Sequence, residues 1–326
     1  GRAYKKPMAV PRLDGVTERD VTLGGVRIHY AEGPPNGAPL VLIPGQCMPW
    51  HSYRRVIPEL SRRYRVYALD VRGHGQSERT PGSYTFSRCG ADIVAFLREV
   101  VRASALLAGN SSGGILALWA ASQAPDLARG VVAEDPPLFT TEWPRSKGTW
   151  THTFFEHTAR TLPDLARYFS TLELPTHDGQ DVMSFPRPLA WLLGGAIRRR
   201  QRKNPGAPVD IPWLPLVVRL FVYGLSEYDV DFTRACTDGR MYDVDHAAML
   251  AAVRAPVLLV QARSFVHPTL GLVGAMGDED VERAVRAQPR IVVEKTRAQH
   301  VVHIDDPRRY VGYIDRVAAQ GERAKQ

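Results

Sequence analysis

Apolar residues recur along this chain in two rhythms. Near the N-terminus, VTLGGVRIHYAEG gives two β-rich runs around Gly24 and Gly25, which predicts a hairpin at the start of a sheet. Four short, nearly continuous apolar runs follow: PLVLIP at 39–44, YRVYALD at 64–70, ALLAG at 105–109 and GVVAED at 130–135. Amphipathic stretches such as GADIVAFLREVVR separate them. Apolar runs alternating with amphipathic helices predict parallel strands covered on both faces. From about Pro137 to about Val253 no comparable strand is evident, and prolines and glycines break the segment into helices. The strand rhythm returns with PVLLVQA at 256–262 and RIVVEK at 290–295, and PRRYVGYIDRVAAQ closes the chain as an amphipathic helix.

The pattern describes an α/β fold with a doubly wound, mostly parallel sheet and helices on both faces. Residues 1–136 and 254–326 form its core, and residues 137–253 form a helical insertion, or lid, near the carboxyl ends of the strands, where open α/β sheets bind ligands. A length of 326 residues suits one large domain carrying such an insertion. Of the 28 aromatic residues, 15 lie between Pro137 and Leu250. Packing between lid and body accounts for many of them, but such a lid favours an apolar or aromatic ligand. Trp191 and Trp213 are the candidate substrate contacts, against the alternative of ordinary lid core.

Composition narrows the function classes. With 44% hydrophobic and 23% charged residues the chain reads as an ordinary soluble protein. It has no run of the ~18 to 20 apolar residues that a membrane span needs. Its opening GRAYKKPMAVPR lacks the apolar core of a signal peptide, so the expected location is cytoplasmic, without membrane association. Cys47, Cys89 and Cys236 show no CxxC or Cys/His ligand spacing, which predicts buried free thiols and neither a disulfide framework nor a zinc site. The formal charge is +8, densest in RRRQRK at Arg198 to Lys203. With no nucleic-acid motif or stacking platform beside it, this cluster reads as a solvated helix face and no nucleic-acid partner is expected.

LLAGNSSGGILALWAAS is the most informative stretch. It contains G-x-S-x-G as Gly109, Asn110, Ser111, Ser112 and Gly113, after an expected strand and before an expected helix, which is the context the motif requires. A strand that turns at once into a helix forces the central serine into a strained conformation that only small neighbours tolerate. Ser111 would then project as a nucleophile, and the helix N-terminus would aim the backbone N–H of Ser112 at an oxyanion. The rival reading, a glycine-rich phosphate turn, lacks both G-x-G-x-x-G and a P-loop lysine. A serine hydroxyl needs a base, and RAQHVVHIDDP after the last strand offers His300 and His303. His300 follows the strand closely, on a loop that can reach back over the sheet, and is the expected base. His303 reads as a packing or hydrogen-bonding histidine. An H-x-x-H metal pair has no third ligand nearby in sequence.

PLVLIPG, DVRGHGQS, GNSSGG and QHVVHIDDP together resemble the α/β-hydrolase fold, over essentially the whole chain outside the lid. The resemblance implies that the loop after LVLIP supplies a second oxyanion donor, the backbone N–H of Gln46. It also implies an acid after the strand VLLVQ, yet this stretch runs into Phe265 with no carboxylate. In some α/β-hydrolases, haloalkane dehalogenases and zearalenone lactonases among them, the acid instead stands about two dozen residues after the nucleophile. Asp135 lies 24 residues after Ser111. Strand side chains alternate in direction, so only one of Glu134 and Asp135 should face the histidine; the spacing selects Asp135, with Glu134 as the alternative. Asp70, another carboxylate at a strand end, precedes VRGHGQS and reads as part of a structural turn. ALLAGNSSGG, AEDPPLF and QARSFVHPTLGLVGAM resemble stretches of bacterial zearalenone lactonases, which implies hydrolysis of the ester in a resorcylic macrolactone.

The expected chemistry is acyl transfer by Ser111, Asp135 and His300, with Gln46 and Ser112 as oxyanion donors and with neither metal nor organic cofactor. A serine at the elbow argues against a dehalogenase or epoxide hydrolase of this fold, which would place an aspartate there. A general carboxylesterase, a carbon-carbon bond hydrolase and a catalytically silent small-molecule receptor are the rival readings. The oligomeric state is open, a homo-oligomer included.

Overall fold

The computed structural model of the chain describes residues 13–176, 182–184 and 186–323. An eight-stranded sheet organises it, built from β1 (Thr17–Leu23), β2 (Val26–Glu32), β3 (Ala38–Ile43), β4 (Tyr64–Leu69), β5 (Ala105–Asn110), β6 (Ala128–Glu134), β9 (Val257–Gln261) and β12 (Val292–Lys295). Two small antiparallel pairs lie outside this sheet, β7 (Glu173–Pro175) with β8 (Val182–Ser184), and β10 (Phe265–His267) with β11 (Gly271–Val273). Spatial order in the large sheet is β1-β2-β4-β3-β5-β6-β9-β12. The six strands β4-β3-β5-β6-β9-β12 run parallel to one another, while β2 pairs antiparallel with both β4 and β1 at one edge. Gly24 and Gly25 turn the β1–β2 hairpin with φ of 55° and 87°, the positive values a two-residue turn requires.

Both faces of the inner strands are buried, and successive residues serve opposite cores, because strand side chains alternate. Val41, Ile43, Leu107, Val131, Ala133 and Leu259 enter one core with the helices Phe86–Phe96 and Ser112–Gln123. Leu40, Leu42, Leu106, Ala108, Val132, Leu258 and Val260 enter the other, with Tyr310, Ile314 and Val317 of the helix Pro307–Arg323. Continuous apolar runs in the sequence are thus two interleaved half-faces.

Register aligns the strand ends. Asn110 pairs with Glu134, and Glu134 with Val260, so the residues that follow in each strand emerge side by side at the carboxyl edge. Between β6 and β9 the chain is mainly helical, with helices at Trp150–Thr161, Leu165–Thr171, Arg187–Lys203, Leu216–Ser226, Val230–Thr237 and His246–Ala252. Two features were not legible as strands, the three-residue β7–β8 pair within this segment and the β10–β11 pair just after β9. Each strand is too short to set up a period.

The insertion sits tightly on the loop after β3. A Cβ placed on Gly224 would lie 2.0 Å from the backbone carbonyl oxygen of Cys47, a contact neither backbone can relieve by rotating a side chain. Gly224→Ala is therefore expected to destabilise the protein by the roughly 1–3 kcal/mol typical of overpacking, seen as a lower thermal midpoint. Gly312→Ala, where a Cβ meets open space, should leave the midpoint unchanged or raise it.

Candidate active site

Ser111 stands between β5 and the helix Ser112–Gln123 with φ 53° and ψ −125°, a conformation that costs a non-glycine residue on the order of 1–3 kcal/mol. Its neighbours explain the glycines. A Cβ on Gly109 would approach the Gly113 carbonyl oxygen to 2.1 Å, and one on Gly113 would approach that of Ile43 to 2.2 Å. The Ser111 N–H donates to the Glu134 carbonyl at 2.8 Å, which ties the elbow to the end of β6. Opposite the elbow runs the loop after β3, where a Cβ on Gly45 would lie 3.0 Å from that of Ser111. Among the described residues no hydrogen bond uses the backbone N–H of Gln46 or of Ser112. The Gln46 side chain is held from the insertion: its Nε2 donates to the Tyr228 hydroxyl at 2.6 Å and to Thr233 Oγ1 at 3.4 Å.

Asp135 leaves β6 with φ 44° and is held by three hydrogen bonds. Its Oδ2 lies 2.6 Å from His300 Nδ1, its Oδ1 accepts the Ala262 N–H at 3.0 Å, and its own N–H donates to the Val260 carbonyl at 2.8 Å. Thus β9 contributes backbone donors and acceptors to the acid at the place where a carboxylate would have been expected. Asp135 is buried, whereas the His300 side chain is 44% exposed. The Asn110 side-chain amide donates to the His300 carbonyl at 2.9 Å, so the residue before Ser111 anchors the residue with the imidazole. Ser111 Oγ itself makes no hydrogen bond to His300 among the described residues; catalytic contacts of this kind often tighten only with substrate bound. Cys47, Ser111 and Asp135 are three of the five non-glycine residues with positive φ among the described residues, and strained backbone concentrates at functional sites.

The other candidate carboxylates have different partners. Glu134 is fully buried, its Oε2 2.7 Å from Nδ1 of His303, which is buried with it. Asp70 accepts the N–H groups of Trp50 at 2.7 Å and Gln76 at 2.9 Å, a structural role in its turn. Both candidate tryptophans, Trp191 and Trp213, are exposed. Trp191, 81% exposed, lines a surface cleft of about 360 Å3 with Ala166, Ser170, Arg187 and Arg198, and Ser111, Asp135 and His300 are not part of it. Cys47, Cys89 and Cys236 are free and buried, and every residue from Arg198 to Lys203 is exposed. The opening residues 1–12 lie outside the described residues, and no described helix is long and apolar enough to cross a membrane.

Asn110, Ala262, Tyr228 and Thr233 escaped the reading of the sequence. Asn110 lies within the elbow motif as an unspecified position, Ala262 acts through its backbone, and Tyr228 and Thr233 meet Gln46 across more than 180 residues of chain. None of these carries a local signal.

A family model described as the alpha/beta hydrolase fold matches residues 38–184. N-formylmaleamate deformylase of Pseudomonas putida is 38% identical over 121 residues, 36% of this chain and 45% of that protein. Soluble epoxide hydrolase of a Corynebacterium species is 30% identical over 112 residues, 34% of this chain and 39% of that protein. The aligned stretch thus spans less than half the length of these curated relatives. A thermophilic esterase from Thermogutta terrifontis superposes with a TM-score of 0.65 at 17% identity, covering 94% of this chain and 99% of that one. These relatives are a deformylase, an epoxide hydrolase and an esterase, and not the zearalenone lactonases expected from the sequence.

Partial desolvation of the half-exposed His300 ring disfavours its charge, but the Asp135 hydrogen bond and the Asp135 and Glu134 charges outweigh it, so the His300 pKa is raised above its ordinary value of 6.5. Asp135→Asn removes a negative charge that favours the imidazolium, and the pKa should fall. Proton NMR titration of the His300 ring in both proteins checks the sign; an unchanged value would show that the pair does not govern its protonation.

Proposed function

We propose that this chain, which has the α/β-hydrolase fold, is a serine hydrolase that cleaves an ester by acyl transfer at Ser111, with the lactone of an apolar, zearalenone-type macrocycle as substrate. The observation that carries the reading is the 2.6 Å pair of His300 and buried Asp135 beside a serine in a strained strand-to-helix turn. Asp135 would fix the tautomer that leaves Nε2 free to take a proton, and would stabilise the imidazolium that results. His300 then accepts the Ser111 hydroxyl proton as the oxygen attacks the carbonyl carbon. The backbone N–H groups of Gln46 and Ser112 receive the oxyanion, each such donor typically worth ~3 to 4 kcal/mol. Collapse of the tetrahedral intermediate breaks the ester bond, and the imidazolium gives its proton to the departing alkoxide. In a lactone that alcohol remains tethered to the acyl group. His300 next deprotonates a water, whose attack releases the carboxylic acid and regenerates Ser111.

An apolar substrate is supported by the wall beside the base. It consists of the partly buried Leu216, Phe221 and Val301, backed by the buried Met48, Leu220 and Ile304, and Val301 follows His300 directly. Behind it, Phe221 packs against Phe154, Tyr168 and Phe169 of the insertion. A curved aromatic lactone could lie along such a surface without leaving buried polar groups unpaired. The macrolactone itself is favoured by the resemblance of ALLAGNSSGG, AEDPPLF and QARSFVHPTLGLVGAM to zearalenone lactonases. A relative named as an epoxide hydrolase does not alter the nucleophile of this chain, a serine, whose covalent intermediate with an ester is an acyl-enzyme.

Incubation with zearalenone, followed by chromatography and mass spectrometry, is expected to give ring-opened product over many turnovers. Cleavage of a simple aryl ester alone would remove the macrolactone and keep the hydrolase. Binding without turnover of either would favour a receptor. Ser111→Ala should abolish turnover with the fold retained by circular dichroism. Asp135→Asn should lower kcat by about 10⁴, the cost of the wrong tautomer in such triads, and kcat near that of the wild type would exclude Asp135 as the acid.

A further inference from the structure

Next to the Asp135–His300 pair lies a second histidine and carboxylate that the mechanism does not use. Glu134 is 0% and His303 1% exposed. The carboxylate accepts the His303 backbone N–H at 2.9 Å and faces ring Nδ1 at 3.0 and 2.7 Å. A buried carboxylate is expensive, and apolar residues of similar volume often fill such a site at least as well. What the pair adds is geometry. The His303 ring stacks on Tyr53 with centroids 4.1 Å apart and meets the edge of Tyr310 at 5.5 Å, so its position is set on three sides. The Tyr53 hydroxyl donates in turn to the Ile43 carbonyl at 2.9 Å, where β3 enters the loop of Gly45 and Gln46.

Glu134 therefore connects three parts of the site. Its carbonyl oxygen accepts the Ser111 N–H, its successor is Asp135, and its side chain grips the turn three residues after His300. We propose that Glu134 is a positioning residue for the reaction, its buried carboxylate holding His303, and with it the His300 loop, in register with Ser111 and Asp135. The inference rests on the assignment of His300 as the base. Glu134 acts through His303 and touches no reacting atom.

The test is Glu134→Gln, which keeps shape and one acceptor oxygen but removes the charge and one of the two oxygens facing His303. Rates on an aryl ester across pH, and NMR titration of His300, are measured in both proteins. The groups that bear on the site are Asp135 and Glu134 beside His300, with His303, Tyr53, Tyr310 and Asp305 around Glu134. A displaced base impairs the chemical step, so kcat should fall on the order of 10- to 100-fold with KM within about twofold. Loss of a negative charge disfavours the imidazolium, so the acid limb of kcat/KM and the His300 titration should both move to lower pH. Unchanged kcat and an unmoved titration overturn the proposal, as does a rise in KM alone. If Glu134→Gln does not fold, His303→Asn keeps a side-chain donor and the Glu134 charge but loses the ring between Tyr53 and Tyr310. It is then expected to lower kcat without moving the acid limb, and wild-type kcat overturns the proposal. The titration needs no turnover: an inert wild type would count against Ser111 hydrolysis, whereas an unmoved His300 titration counts against Glu134.

Discussion

The hydrogen bond between Asp135 and His300 joins two parts of the chain 165 residues apart, and the geometry of the site depends on it. Asp135 can serve His300 only because the end of β6 is held from both sides. β5 gives it Ser111, whose N–H bonds to the Glu134 carbonyl, and β9 gives it the Val260 carbonyl and the Ala262 N–H. A central strand has neighbours on both edges, so a carboxylate at its end inherits a fixed position with little need for side-chain support. The strained φ of Asp135 is maintained by these same bonds, in keeping with the rule that sparsely populated backbone survives where its surroundings over-determine it.

Two adjacent acids at one strand end reach two different histidines, and the reason is parity. Val132 belongs to the core under the C-terminal helix, Ala133 to the opposite core. Glu134 continues the side of Val132 and meets His303 among Tyr53 and Tyr310, while Asp135 turns the other way at the edge and meets His300. Consecutive strand residues point to opposite faces, so the sheet itself separates a carboxylate at the proposed reaction site from one sealed behind it.

The insertion acts on the site through the loop after β3. Gly224 allows its helix to approach the Cys47 carbonyl, and Tyr228 and Thr233 hold the Gln46 side chain. The segment that would bound a substrate and the loop that would receive the oxyanion are thus one packed unit. The buried apolar cluster of Met48, Leu220 and Ile304 joins that loop, the insertion and the segment after His300.

The chain's own pattern was enough to determine the strand rhythm, the hairpin at Gly24 and Gly25, the helical character of the insertion and the strand-to-helix turn at Ser111. Each of these follows from local sterics and periodicity, which a short stretch of residues carries within itself. Gly109 and Gly113 are legible because only glycine fits so close to a neighbouring backbone. The pairing of acids with histidines was another matter. Spacing and alternation separated Asp135 from Glu134 in principle, but which histidine each one meets depends on where a distant loop returns over the sheet. The contributions of Ala262 and Asn110, the clasp on Gln46 and the outward placement of Trp191 were decided by tertiary structure alone. A backbone N–H has no identity in a sequence, and an exposed tryptophan is spelled the same as a buried one; what each touches is set by packing between segments far apart in the chain.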